Sequence, residues 1–242
     1  MYKRILFVLT LFSFTAKAQT GQDSAGTRNI YLQKQLLDDP HFFISGAYGL
    51  GYRLARLPEN LNKIQRDYYN GLKSGKFYQF DIAYYLKNGF GFGLLYNAMN
   101  ADNRIDNVTI VLNNGITKTG TVADDITISY FAPQGCFRFW QEYHNGFFNL
   151  NFGIGYMSYK NDAIAVDPYK MYGSTVGVNT AFSYFIRISP EIWIGPYISY
   201  MAGFLSKYTV DDGISKQTYK LPENEQEGLH HVDLSIKAAL TF

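Results

Sequence analysis

From His41 to Phe242 the chain alternates apolar or aromatic side chains with small or polar ones, residue by residue, in eight successive segments. A period of two belongs to strands, whose successive side chains point to opposite faces; a 3.6-residue helical repeat cannot hold it on two clean faces. In the first segment Phe42, Ile44, Tyr48, Leu50, Tyr52 and Leu54 oppose Ser45, Ala47, Gly49, Gly51 and Arg53. In the next two, Tyr78, Phe80, Ile82, Tyr84 and Leu86 oppose Gln79, Asp81 and Ala83, and Phe90, Phe92, Leu94 and Tyr96 oppose Gly91, Gly93 and Asn97. The fourth sets Ile126, Ile128, Tyr130 and Ala132 against Thr127 and Ser129, then meets Pro133-Gln134-Gly135. A bulge or bend is expected there, because proline removes a ladder donor. The fifth sets Phe148, Leu150, Phe152, Ile154 and Tyr156 against Asn149, Asn151, Gly153 and Gly155. Val176 to Ile188, Ile192 to Phe204 and Val232 to Phe242 complete the set, with Arg187, Asp233 and Lys237 on the polar sides.

Connection lengths alternate as well. Lys87-Asn88-Gly89, Gln141 to Gly146 and Ser189-Pro190-Glu191 are short, whereas Ala55–Lys76, Met99–Asp124, Tyr159–Gly173 and Ser206–Gly228 are long and polar. Eight strands of a length that crosses a bilayer when tilted, with short turns at one rim and long loops at the other, predict an all-β, transmembrane, antiparallel up-and-down β-barrel. Within the second long connection, Val108–Leu112 and Ile116–Val122 alternate around Asn113-Asn114-Gly115. They read as a hairpin standing above the membrane, or, alternatively, as two further wall strands of a ten-stranded barrel.

The polar faces carry much Gly and few Lys or Glu, which suits the tight interior of a small barrel better than a surface facing water. Aromatics near segment ends (Tyr52, Tyr84, Phe90, Tyr156, Tyr184 and Phe204) suit interfacial girdles. The apolar faces are therefore expected outward, in lipid. Arg53, Asp81, Arg187, Asp233 and Lys237 then project into the lumen, where unpaired charge is costly and a network of opposite signs is expected. The alternative is a charge-lined path for a small ion.

The first residues change the picture of the whole. Lys3 and Arg4, an apolar run from Ile5 to Phe14 and Ala16-Lys17-Ala18 have the order of a secretory signal peptide, with cleavage expected after Ala18. Residues 19–40 form a leader, in which Tyr31–Leu37 has the makings of one or two helical turns, and residues 41–242 form the barrel. Loss of Lys3, Arg4 and Lys17 turns the formal +2 of the chain into −1, so no electrostatic case for nucleic acid exists. The single cysteine, Cys136, excludes an internal disulfide and reads as a small apolar filler.

The first long connection gathers Arg56, Lys63, Arg66, Tyr68 and Tyr69, with Arg53 at its base. These suit lipopolysaccharide phosphates or a protein partner in the envelope, or simply a solvated loop. Of the four histidines only His231 shares the lumen-facing parity of a carboxylate, Asp233, and no His-x-Ser pattern occurs. A lipid-modifying membrane enzyme is thus the weaker alternative beside a pore. No metal-ligand spacing or phosphate-cradling loop is present, and no cofactor is expected.

The signal peptide ending Ala16-Lys17-Ala18-Gln19, the stretch Phe43-Ile44-Ser45-Gly46-Ala47-Tyr48-Gly49, the motif Ile128-Ser129-Tyr130-Phe131-Ala132-Pro133 and the terminal Phe242 together resemble small outer-membrane proteins of the OmpA/OmpX-like barrel type. More narrowly, they resemble the outer-membrane β-barrel domain proteins of Bacteroidetes. The resemblance covers roughly His41 to Phe242. It implies residence in the outer membrane among its lipid and lipopolysaccharide, and a terminal aromatic similar to the signal read by the barrel-assembly machinery. It implies a scaffold or loop-binding role without naming a ligand.

Overall fold

The computed structural model describes residues 41–57, 61–111, 117–140, 146–222 and 226–242. The expected signal peptide, the leader with its Tyr31–Leu37 turns and most of the Gln141–Gly146 connection lie outside the described residues. In chain order the elements are β1 (Phe42–Arg53), α1 (Lys63–Gly71), β2 (Ser74–Tyr85), β3 (Phe90–Val111), β4 (Thr117–Trp140), β5 (Gly146–Ala165) and β6 (Asp167–Arg187), followed by β7 (Ile192–Leu205), β8 (Lys207–Asp211), β9 (Lys216–Lys220), β10 (Glu227–Gly228) and β11 (His231–Thr241).

Each strand from β1 to β6 pairs antiparallel with its successor, and β11 pairs with both β7 and β1. The ring therefore closes with eight wall strands: β1 to β7 and β11. Closure leaves the wall without an open edge, which is the condition for crossing hydrocarbon with strands. The seam between β1 and β11 runs from Phe43 opposite Thr241 to Arg53 opposite His231. At the Asn88-Gly89 turn, Gly89 takes a positive φ of 80°, as a two-residue hairpin requires.

The outer face identifies the solvent. Tyr48, Leu50, Phe80, Phe92, Ile154 and Ile236 are between 53% and 71% exposed, and they belong to a continuous apolar band around the ring. A band of this extent is unsustainable in water and fits a hydrocarbon layer. Exposed Tyr52, Tyr156 and Phe204 rim it on the long-loop side, and Tyr84, Phe90 and Phe242 on the other.

Four wall strands outrun this band. Beyond Tyr156, β5 continues to Ala165, roughly 30 Å of strand at about 3.3 Å per residue; β3, β4 and β6 accompany it. Here the alternation keeps its parity and reverses its chemistry. On β5, Asn149, Asn151 and Gly153 face inward below the rim, but Met157, Tyr159 and Ala163 do so above it, while Lys160 and Asp162 face out. Within the lipid-facing band the middle of the barrel is apolar outside and polar inside; the upper barrel is built the way a water-soluble one is.

That reversal corrects the reading of the fourth segment. Ile126, Ile128, Tyr130 and Ala132 are buried inside, not turned to lipid. The lipid-facing residues of β4 are Phe131, Phe137 and Phe139. The expected bulge at Pro133-Gly135 is absent: Pro133 stands in register opposite Leu94 of β3, and the ladder to β5 lapses at Ala132-Pro133 without a shift. The register shift lies instead on β3 between Ile105 and Val108, where Asn107 has a φ of 61°. Residues 108–111 and 117–122 prolong β3 and β4 and add no wall strands, so the ten-stranded alternative is set aside. The third long connection shrinks to a turn at Val166, with Ala165 already paired to Asp167.

Candidate functional site

Three layers fill the interior described by the wall strands. At the short-turn end, Phe43, Tyr85, Phe147, Phe185 and Trp193 pack as a buried aromatic cluster with Cys136. Phe147 stands at its centre, with ring centroids 5.6 Å from Phe43, 5.2 Å from Phe185 and 5.0 Å from Trp193. The Arg138 guanidinium lies over the Tyr85 ring at 4.6 Å, a cation–π contact in a dry setting.

The middle layer is polar and is built from β1, β2, β3, β7 and β11. Lys237 pairs with Asp81, which also accepts from Ser45 and, at 3.2 Å, from Gln79. Tyr197 donates to Gln79 and lays its ring 4.9 Å from the Lys237 ammonium. Asp233 accepts from Asn97 at 2.9 Å and Ser199 at 3.0 Å, with His231 Nε2 3.7 Å away. Every one of these side chains is at least nine-tenths buried.

Above them the interior turns apolar, through Leu95, Ile128, Met157, Met201 and Leu205, and opens into a cavity of about 780 Å³ at the long-loop mouth. The upper parts of β3 to β6 wall it, with Ile105, Val122, Ile126 and Met171 among the lining side chains. Helix α1 closes one side. Asn62 caps that helix reciprocally with Gln65, at 2.9 and 3.1 Å. On its inner face Tyr68 donates to Asp124 at 2.5 Å, and Asn103 donates to the Tyr68 carbonyl at 2.7 Å. Burial, and then the Asp124 carboxylate, push the Tyr68 phenol well above its ordinary pKa, so it stays a donor.

The cavity floor is charged. Arg53 is 5% exposed and meets Glu227 of β10 through a single contact of 3.3 Å. Its Nε has no hydrogen-bond partner among the described residues, nor has Oδ1 of the buried Asn161, which also lines the cavity. Half-burial pushes the Glu227 carboxyl above the ordinary glutamate range, although Arg53 opposes the shift. Asp124 accepts from Tyr68 and Asn161, at 2.5 Å each.

Of the residues assigned to the lumen by parity, Asp81, Asp233 and Lys237 meet in the middle layer, and Arg53 stands above them on the cavity floor. Arg187 does not join them. It lies one step beyond the last enclosed layer, exposed, donating to the Pro190 carbonyl at 2.9 Å and standing 5.6 Å from the Trp193 ring. Of the residues assigned to loop binding, Arg56, Lys63, Arg66 and Tyr69 are exposed, whereas Tyr68 is turned inward. Glu227, Asp124 and Asn161 were not singled out from sequence; the inward parity of Asn161 with Asn149 and Asn151 was the available signal. Among the described residues no group of three His, Cys, Asp or Glu side chains is arranged to hold a metal.

The sequence matches no protein-family model and no curated protein. The fold is similar to that of Neisserial surface protein A, with a TM-score of 0.50 and 11% identity over 83% of this chain and 97% of that one. It is also similar to a major outer membrane protein of Thermus thermophilus, with a TM-score of 0.52 and 11% identity over 83% and 99%. At such identities the likeness is one of fold: a closed eight-stranded barrel of the small outer-membrane type.

Proposed function

We propose that the chain is a non-enzymatic, non-conducting outer-membrane barrel that acts by binding a small molecule at its mouth, with the long-loop end outward. One observation carries this reading: the lower lumen is filled by buried side chains, and a half-enclosed cavity of about 780 Å³ stands above it. That volume is in the range of small-molecule sites, and its lining sets an apolar wall beside a charged group of Arg53, Arg56, Lys73, Asp124 and Glu227. The outer-membrane barrels with this fold support the location. Exposed Arg56, Lys63 and Arg66 suit contact with lipopolysaccharide or an envelope protein.

Catalysis finds little support in the histidines. His231 holds Leu229 O with Nδ1 at 3.2 Å and faces Asp233 with Nε2, while the nearby Ser199 hydroxyl is spent on Asp233 rather than on the imidazole. A nucleophile needs its base within hydrogen-bond reach.

Single-channel recording of the refolded full chain in planar bilayers tests the closed lumen, and native mass spectrometry of the same protein tests retention of small amphiphiles. No steady conductance and a stoichiometric bound molecule are expected. Stable, ion-selective openings would mean that the Lys237–Asp81 layer lines a path and would replace this reading by a pore.

A further inference from the structure

The cavity floor is a cation only partly used by its own protein. Arg53 is nineteen-twentieths buried, lines the cavity, and spends one guanidinium nitrogen on Glu227 at 3.3 Å while Nε remains without a partner among the described residues. A buried arginine with unmet donors is costly, and its planar fork matches the two oxygens of a carboxylate better than any neutral acceptor. Glu227 is a poor permanent partner. It belongs to the two-residue strand β10, its side chain is 45% exposed, and its contact with Arg53 is single and long. Above the floor the wall is aliphatic and aromatic: Leu72, Ile105, Val122, Met171 and Tyr208.

We propose that the mouth cavity takes an amphipathic monocarboxylic acid, its carboxylate received by Arg53 in exchange for Glu227 and its apolar body by the upper wall. This rests on the reading of the mouth as a binding site and gives that site its ligand class. Arg56 and Lys73 also line the cavity but are not buried, and Asp124 and Glu227 offset them in charge, which leaves Arg53 as the buried cation of the lining for a singly charged headgroup. Glu227 occupies the guanidinium in the empty protein and keeps its charge neutralised; the ligand's carboxylate displaces it toward water.

The experiment titrates octanoate, octan-1-ol, octylamine and octyl phosphate calorimetrically into the refolded full chain in lipid nanodiscs, with empty nanodiscs as blanks. Octanoate is expected to bind about tenfold more tightly than octanol, the span of one charge-assisted bidentate pair. Arg53→Gln is expected to remove that preference and leave octanol binding unchanged. Glu227→Gln, a change at a half-exposed position that spares the barrel, is expected to strengthen octanoate binding several-fold by removing the internal competitor. It keeps the test decisive where Arg53→Gln fails to fold. Equal binding of octanoate and octanol in the wild type and in Glu227→Gln overturns the acid assignment while leaving the mouth as a site. A preference for octylamine makes Asp124 the head-group partner and overturns it too, as does tighter binding of octyl phosphate. Failure of all four probes to bind overturns both this inference and the reading of the mouth on which it rests.

Discussion

Lys237→Met is the most direct probe of the polar layer. The lysine and Asp81 have side chains 1% and 4% exposed, and methionine keeps most of the stem's volume while removing the ammonium. What remains is a buried carboxylate without its cation. Removing one partner of a buried pair costs about 3–5 kcal/mol, most of it the penalty of the stranded charge. Ser45 and Gln79 still donate to Asp81, which places the expected cost near the lower end, about 3 kcal/mol. Asp81→Asn strands the other charge, and the Tyr197 ring at 4.9 Å returns only about 0.5–2 kcal/mol of it. The double variant strands neither. Its loss should therefore fall short of the sum of the single losses by about 2–3 kcal/mol, a coupling expected only of groups in contact. Equilibrium urea unfolding of the refolded chain in lipid vesicles, followed by tryptophan fluorescence and by heat-modifiable gel migration, measures all four corners of the cycle. Single losses below about 1 kcal/mol, or a double loss equal to their sum, would refute a desolvated pair and mean that water reaches this layer.

Other perturbations address the remaining layers. A Cβ on Gly195 would come within 1.6 Å of the Tyr184 carbonyl oxygen, so Gly195→Ala should cost about 1–3 kcal/mol and lower the folded fraction on heat-modifiable gels; an unchanged fraction would contradict the close approach of β6 and β7. Tyr68→Phe removes the 2.5 Å bond to Asp124 that ties α1 over the mouth, and trypsin should then cut faster at Lys63 and Arg66 without change in barrel stability; an unaltered cleavage rate would show that packing alone holds the helix. Acidification tests the Glu227 latch. Its folded-state pKa is raised, so its ionised form costs stability above the unfolded value, and that cost is relieved as pH falls. The carboxyl thus protonates and frees Arg53 at a higher pH than a solvated glutamate would. Octanoate binding should accordingly strengthen as the pH is lowered through the Glu227 titration in the wild type and stay flat in Glu227→Gln; equal slopes would assign the titration to another group.

The strand count was legible because period-two alternation is a local property; connection length was not, since Met99–Asp124 and Tyr159–Gly173 are mostly continued wall strand. Asp81, Asp233 and Lys237 were placed by parity alone. Parity names a face and says nothing about height along the barrel axis, and this is why Arg187, on the inward parity of β6, emerges past the aromatic cluster at the rim. Tyr68 was read as exposed because its partner, Asp124, lies on β4, 56 residues away. Arg53 was assigned both to the lumen and to the first connection. It lies on the cavity floor between the two.

The misread fourth segment points to what produces the cavity. Ile126, Ile128, Tyr130 and Ala132 alternate with Thr127 and Ser129 as Phe148 to Tyr156 alternate with asparagine and glycine; the patterns are alike and the surrounding solvents differ. Just below the tyrosine rim lipid takes the apolar face and the lumen receives the polar one, before the aromatic cluster fills the short-turn end. Above the rim water takes Asp125, Thr127 and Ser129, and the same wall turns its aliphatic side chains inward. A closed sheet that changes solvent partway up must therefore change the chemistry of its interior at about the same height. Where strands of unequal length make that change, as β3 to β6 rise past β1, β2, β7 and β11, the interior is left with a polar floor, apolar walls and an open side that α1 only partly covers. The amphipathic character of the mouth follows from the way the barrel crosses its membrane, and Arg53 is placed where the two interiors meet.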